Sequence, residues 1–89
     1  MKVKVRVYGR VQGVGFRYFV KRISDSYQLM GWVKNLDDGS VEALFVGKRA
    51  AVESAIEMCR RGPRAAEVES IETIPHDESE LPNDFRILY

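Results

Sequence analysis

Along the opening stretch MKVKVRVYG, valine alternates with charged residues, so that Val3, Val5 and Val7 fall on one side and Lys4, Arg6 and Tyr8 on the other. A period of two with one apolar side predicts a strand with one buried face. The period changes after the glycine-punctuated stretch from Gly9 to Gly15. Phe16, Phe19, Val20, Ile23 and Tyr27 recur at spacings of three and four, which predicts an amphipathic helix ending near Leu29 and Gly31. Trp32 to Leu36 and Val41 to Val46 are β-rich runs on either side of Asp37-Asp38-Gly39-Ser40, a hairpin with Asp38-Gly39 at its turn. From Lys48 to Arg61 the positions Val52, Ala55, Ile56 and Cys59 form a second helical stripe. Arg60, Arg61 and Gly62-Pro63 supply its stop.

Glu67 to Ile74 reads as a strand with imperfect alternation, and Phe85, Ile87 and Tyr89 as a short final one. The acidic, proline-containing run from Asp77 to Asp84 reads as a solvated connection between them. The order is therefore strand, helix, strand, strand, helix, strand and a short extra strand. Two helical stripes must both be buried on one face of the sheet. This predicts an α+β, ferredoxin-like sandwich of βαββαβ order with a mainly antiparallel sheet.

Composition narrows the possibilities. The 89 residues make one domain, 1–89, which buries roughly 60% of the surface its unfolded chain exposes. Fourteen Lys and Arg against 13 Asp and Glu leave a net charge of +1, which argues against a protein that mainly grips polyanions. With Cys59 as the only cysteine and His76 as the only histidine, an internal disulfide framework and a Cys/His zinc site are both excluded. No metal or cofactor is called for. The N-terminus offers no apolar run suited to a signal peptide, and no stretch approaches the roughly 20 apolar residues that span a bilayer, so the expectation is a soluble cytoplasmic protein.

Candidate chemistry concentrates between the first strand and the first helix, in Gly9-Arg10-Val11-Gln12-Gly13-Val14-Gly15-Phe16-Arg17. Three glycines in seven residues open torsions closed to other residues, so successive N–H groups can turn around one anion. The helix directs its own free N–H groups and positive end to the same place. Arg17 strengthens the case by what it costs, since a cation in the first turn opposes the helix dipole by roughly 0.3–1 kcal/mol. A bound phosphoryl group would offset that through bidentate hydrogen bonds. The competing reading is a surface arginine paired with a carboxylate beside a merely flexible loop. Neither standard phosphate motif fits: Tyr18 stands where GxGxxG needs glycine, and Gly47-Lys48-Arg49 lacks the earlier glycine of a Walker A loop.

GRVQGVGFR at 9–17, GWVKN at 31–35 and DGSVEA at 38–43 together closely resemble the acylphosphatases. The resemblance continues through Gly47, CRRGP at 59–63, Ala66, Val68 and Phe85-x-Ile87-x-Tyr89, and so covers essentially the whole chain. Met58, where many relatives have an aromatic, and Asp84, where a small residue is frequent, are the departures. The resemblance implies the sandwich above and metal-free, cofactor-free hydrolysis of carboxyl-phosphate anhydrides. By match it places the phosphate-binding arginine at Arg17 and the water-orienting asparagine at Asn35. It places the phosphate loop over Gln12, Gly13, Val14, Gly15 and Phe16. The implied partner is a small acyl phosphate, with inorganic phosphate as product and inhibitor.

The remaining polar residues read more plainly. Cys59, on the helical stripe, is a buried inert thiol. His76 is a solvated surface residue. Asp37 and Asp38 belong to turn chemistry, because neighbouring residues on a strand end point apart. Trp32 packs in or over the sheet, where it could also line the approach to the site, and Lys4 and Arg6 occupy the solvated face of the first strand. Two other readings stand beside the enzyme. One is a phosphate-binding regulatory module without turnover. The other is an RNA-binding sheet, which lacks the aromatic signature of such modules. Charges guarding an edge strand near the acidic loop favour a monomer.

Overall fold

The computed structural model describes residues 1–89. Its elements run β1 (Lys2–Arg10), α1 (Phe16–Ser26), β2 (Met30–Asn35), β3 (Val41–Val46), α2 (Arg49–Arg61), β4 (Glu67–Ile74) and β5 (Phe85–Leu88). The five strands form one sheet in the order β4-β1-β3-β2-β5, which is the ferredoxin-like arrangement with a fifth strand added. All pairs are antiparallel except β2 with β5.

Alternation decides which face the helices cover. Val5 and Val7 of β1, Val33 of β2 and Val41, Ala43 and Phe45 of β3 point inward, where they meet Phe16, Val20 and Ile23 of α1 and Val52, Ala55 and Cys59 of α2 in one core. Phe85 joins it from β5, its ring stacked 6.1 Å from that of Phe45. The same alternation sends Lys4 and Arg6 to the face away from the helices, and that face is not bare. Glu42 is only 6% exposed there, held by Arg6 at 2.8 Å, and Leu44 is fully buried. Burying a carboxylate is costly unless it is paired in this way.

The run from Asp77 to Asp84 is largely exposed, as expected of a solvated connection, yet it also makes contacts with this face. It links the two edge strands β4 and β5, and on the way the Lys2 ammonium donates to the carbonyls of Glu78 and Glu80. Glu80 also accepts from the Trp32 indole Nε1 at 2.7 Å. His76 departs from its expected solvation, with a side chain only 17% exposed and Nδ1 3.6 Å from Glu78 Oε1. It shares the lining of a surface cavity with Lys2, Pro75 and Glu78.

β1 extends two residues further than the alternation indicates, through Gly9 and Arg10. The pairing with β4 shifts register after Tyr8, and a Cβ on Gly9 would lie 2.1 Å from the Glu67 carbonyl oxygen. Gly9 therefore serves a close strand approach and not the anion loop, which shortens to Val11–Gly15. Because β1 and β2 each pair antiparallel to the β3 between them, they run parallel, and β5 runs parallel to β2. Three strands thus end at the same edge of the sheet, where α1 begins.

Candidate active site

A cavity of about 220 Å³ lies at that edge. The loop contributes Val11, Gly13 and Gly15 to its wall, the start of α1 contributes Phe16, Arg17 and Tyr18, and the end of β2 contributes Asn35. Of the residues predicted from sequence, Gly13, Gly15, Phe16, Arg17 and Asn35 are brought together, whereas Gln12 and Val14 stand beside the cavity rather than in its wall. Val11 and Tyr18 line it as well. Neither was singled out, since a buried valine and an exposed tyrosine carry no chemical signature in sequence.

Gly13 and Gly15 have φ of 74° and 78°, left-handed torsions of the kind that allow successive amides to face one anion. Added Cβ atoms there would meet nothing within 4 Å, so the requirement is torsional and not steric. Gly15 is the N-cap of α1, and because it has no side chain the first-turn N–H groups are left without a side-chain acceptor. The first turn also contains no acidic residue. Phe16 buries its ring in the core, at 2% exposure, which fixes the start of the helix while leaving only its backbone N–H for the cavity.

Arg17 is half-buried and pairs with no carboxylate, unlike Arg6, Arg60 and Arg86. Its guanidinium donates through Nη1 to the Leu88 carbonyl at 3.4 Å and lies 4.9 Å from the centre of the Tyr89 ring. Neither contact is with a carboxylate side chain. The paired-surface-arginine reading is thereby removed.

Asn35 ends β2 opposite Val41 of β3 and presents its carboxamide to the cavity. Gln12 serves the same geometry indirectly: its Nε2 donates to the carbonyls of Leu36 and Ser40 in the β2–β3 turn. Its side chain is therefore spent on the turn, leaving its backbone N–H as the group it can offer an anion. Within the turn, Asp38 Oδ1 accepts from the Ser40 amide at 2.9 Å and from its hydroxyl, which holds the Asp38 carboxyl below its usual range. Asp38 is thus a turn-forming group, as its spacing indicated.

Several candidates lie elsewhere. Trp32 is on the opposite face, flanked by Lys34 at 4.9 Å and Lys4 at 5.8 Å, and does not line the cavity. Cys59 is 1% exposed, and burial pushes its thiol up to about 12. The chain brings no three His, Cys, Asp or Glu side chains together in a metal-holding cluster. What the cavity does hold is hydrogen-bond donors, one cation and one carboxamide, a set that suits a small oxyanion.

The family model for acylphosphatase matches residues 3–87. The chain is 46% identical over 85 residues to an acylphosphatase of Rhizobium etli, covering 96% of this chain and 90% of that one. It superposes on the crystal structure of the Bacillus subtilis acylphosphatase with a TM-score of 0.92 and 42% identity, covering 99% and 98% of the two chains. An acylphosphatase structure from Coxiella burnetii matches with a TM-score of 0.84 and 37% identity, over 98% of this chain and 90% of that one.

Proposed function

Since the chain belongs to the acylphosphatase family and hydrolyses the carboxyl-phosphate bond of acyl phosphates, we propose that it does so by gripping the phosphoryl group at the Gln12–Phe16 loop with Arg17 while Asn35 orients the attacking water. The observation that carries this division of labour is the juxtaposition, in one small cavity, of an arginine without a carboxylate partner, an uncapped helix start and a single carboxamide.

The chemistry asks for little else. Water oxygen forms a bond to phosphorus as the bond from phosphorus to the acyl oxygen breaks, and the electron pair of that bond leaves with the carboxylate. Its conjugate acid has a pKa of about 4, so it departs without a general acid. The three phosphoryl oxygens accept from the loop and helix N–H groups and from the Arg17 fork as charge shifts among them. Asn35 accepts one hydrogen bond from the water through its carbonyl oxygen and is too weak to act as a base. The proton released by the water passes to a phosphoryl oxygen of the substrate. Positioning and electrostatics thus carry the rate.

In this reading the partner is a small acyl phosphate, inorganic phosphate is both product and competitor, and nucleic acid is not bound. A monomer follows from the edge strand β4, where Glu67, Glu69 and Glu72 would repel the same edge of a second copy. The test is hydrolysis of an aromatic acyl phosphate with EDTA present and inorganic phosphate as competitor. Turnover that phosphate inhibits competitively supports the reading; phosphate binding without turnover overturns it.

A further inference from the structure

We propose that Tyr18 selects the acyl half of the substrate, its ring forming an apolar platform for an aromatic acyl group at the rim of the cavity, an inference that rests on the phosphoryl group being held by the loop and Arg17. An acyl phosphate has two chemically unlike ends. The loop amides and the guanidinium serve the phosphoryl end, which every acyl phosphate shares and which cannot tell one substrate from another. Discrimination between acyl groups has to come from a surface beyond the reach of the phosphoryl oxygens.

Helix geometry puts Tyr18 at such a surface. Successive residues of an α-helix are turned by about 100° from one another. With Phe16 directed into the core at 2% exposure, Tyr18, two positions on, points away from the core, and Arg17 falls between them. Tyr18 is 58% exposed and yet belongs to the cavity wall with Phe16 and Arg17. Val11 and Phe16 are buried, and Gly13 and Gly15 bring no side chain, so Tyr18 is the one exposed aromatic that the wall offers. Asn35 comes to the cavity from the end of β2, on a different wall. In-line displacement sends the acyl oxygen out on the side of phosphorus opposite the water, and hence away from Asn35. An aromatic acyl group leaving the cavity on that side can lay its ring against Tyr18, gaining both buried apolar surface and ring-to-ring contact. An acetyl group, with one methyl, gains little from the same platform. Isolated exposed aromatics are ordinary on protein surfaces, and a tyrosine that only decorated the helix would show no preference among substrates.

Tyr18 is absent from the core cluster, so its replacement leaves the core packing in place. Its hydroxyl lies 3.4 Å from the Tyr89 hydroxyl, a contact that Tyr18→Phe removes while keeping the ring. The test compares the parent, Tyr18→Ala and Tyr18→Phe on benzoyl phosphate and acetyl phosphate, with inhibition by inorganic phosphate and thermal unfolding measured on each. Tyr18→Ala should raise KM for benzoyl phosphate by about three- to tenfold, with KM for acetyl phosphate and the phosphate inhibition constant within about twofold of the parent. Tyr18→Phe should keep the parent's preference. The ratio of kcat/KM for the two substrates cancels any difference in folded fraction, so the comparison holds even if Tyr18→Ala melts earlier. An unchanged ratio in Tyr18→Ala, or equal falls in the Ala and Phe variants, overturns the proposal, while competitive inhibition of the parent by phosphate leaves the site reading intact. Failure of the parent to turn over either substrate overturns both.

Discussion

The side-chain amide of Gln12 donates from one nitrogen to two carbonyls across the site, Leu36 O at 2.7 Å and Ser40 O at 2.9 Å. These bonds tie the loop before α1 to the turn that follows Asn35, and so, in the proposed mechanism, would set the separation between the phosphoryl group and the attacking water. Gln12→Ala removes both. The two carbonyls keep their turn partners, since Gly39 N donates to Leu36 O and Leu36 N to Ser40 O. The expected loss of stability is therefore about 1–3 kcal/mol, or roughly 4–8 °C in melting temperature for each kcal/mol. Turnover should fall by about tenfold or more through misplacement. Thermal unfolding and steady-state kinetics on the same variant check both outcomes; full turnover in a destabilised protein would mean that the tether serves the fold alone.

Cys59 should be chemically silent. Burial favours the neutral thiol, so a thiol-alkylating reagent at pH 8 is expected to leave the native protein unlabelled and to label it once unfolded. Cys59→Ala should retain turnover. The sign of the pH effect follows from the raised value: the unfolded chain releases this proton near its ordinary value of 9.0, while the folded one holds it to about 12. That contribution to stability is complete below about pH 8.5 and is lost as pH rises toward 12. A melting temperature that falls in alkali less steeply in Cys59→Ala than in the parent is the expected result.

Asp38 has the opposite sign. The Ser40 hydroxyl and amide hold its carboxyl below the ordinary value of 3.8, so its contribution is present above that pH and is lost as pH falls through the lower folded value. Replacing it with alanine should lower the melting temperature at pH 7 and narrow the gap between parent and variant at pH 3. Thermal unfolding at the two pH values measures this directly. A gap that is the same at both would show that the Asp38 turn makes no use of the charge.

The elements were legible where a periodic pattern had to bury one face: the valines of β1, the Phe16–Ile23 stripe and the Asp38-Gly39 turn each stand where the alternation or spacing puts them. The loop was legible too, because glycine and a first-turn arginine are chemically unusual together. What local pattern does not contain is contact across distance. Glu80 meets Trp32 only because the 77–84 run travels between opposite sheet edges, and nothing in its acidic composition announces that path. Gly9 looked like part of the loop because its reason for being glycine, the Glu67 carbonyl, is 58 residues away along the chain. Tyr89 was read as an alternating strand residue, and only the parallel pairing of β5 with β2 brings it to Arg17.

The most direct measurement of the central claim is the inhibition constant of inorganic phosphate in Arg17→Ala and Asn35→Ala, taken beside their turnover of an aromatic acyl phosphate. If Arg17 grips the phosphoryl group and Asn35 only orients water, Arg17→Ala should weaken phosphate by at least about tenfold and abolish turnover. Asn35→Ala should lower kcat by about a hundredfold or more while leaving phosphate affinity within about twofold of the parent. Equal loss of phosphate affinity in the two variants would contradict the account.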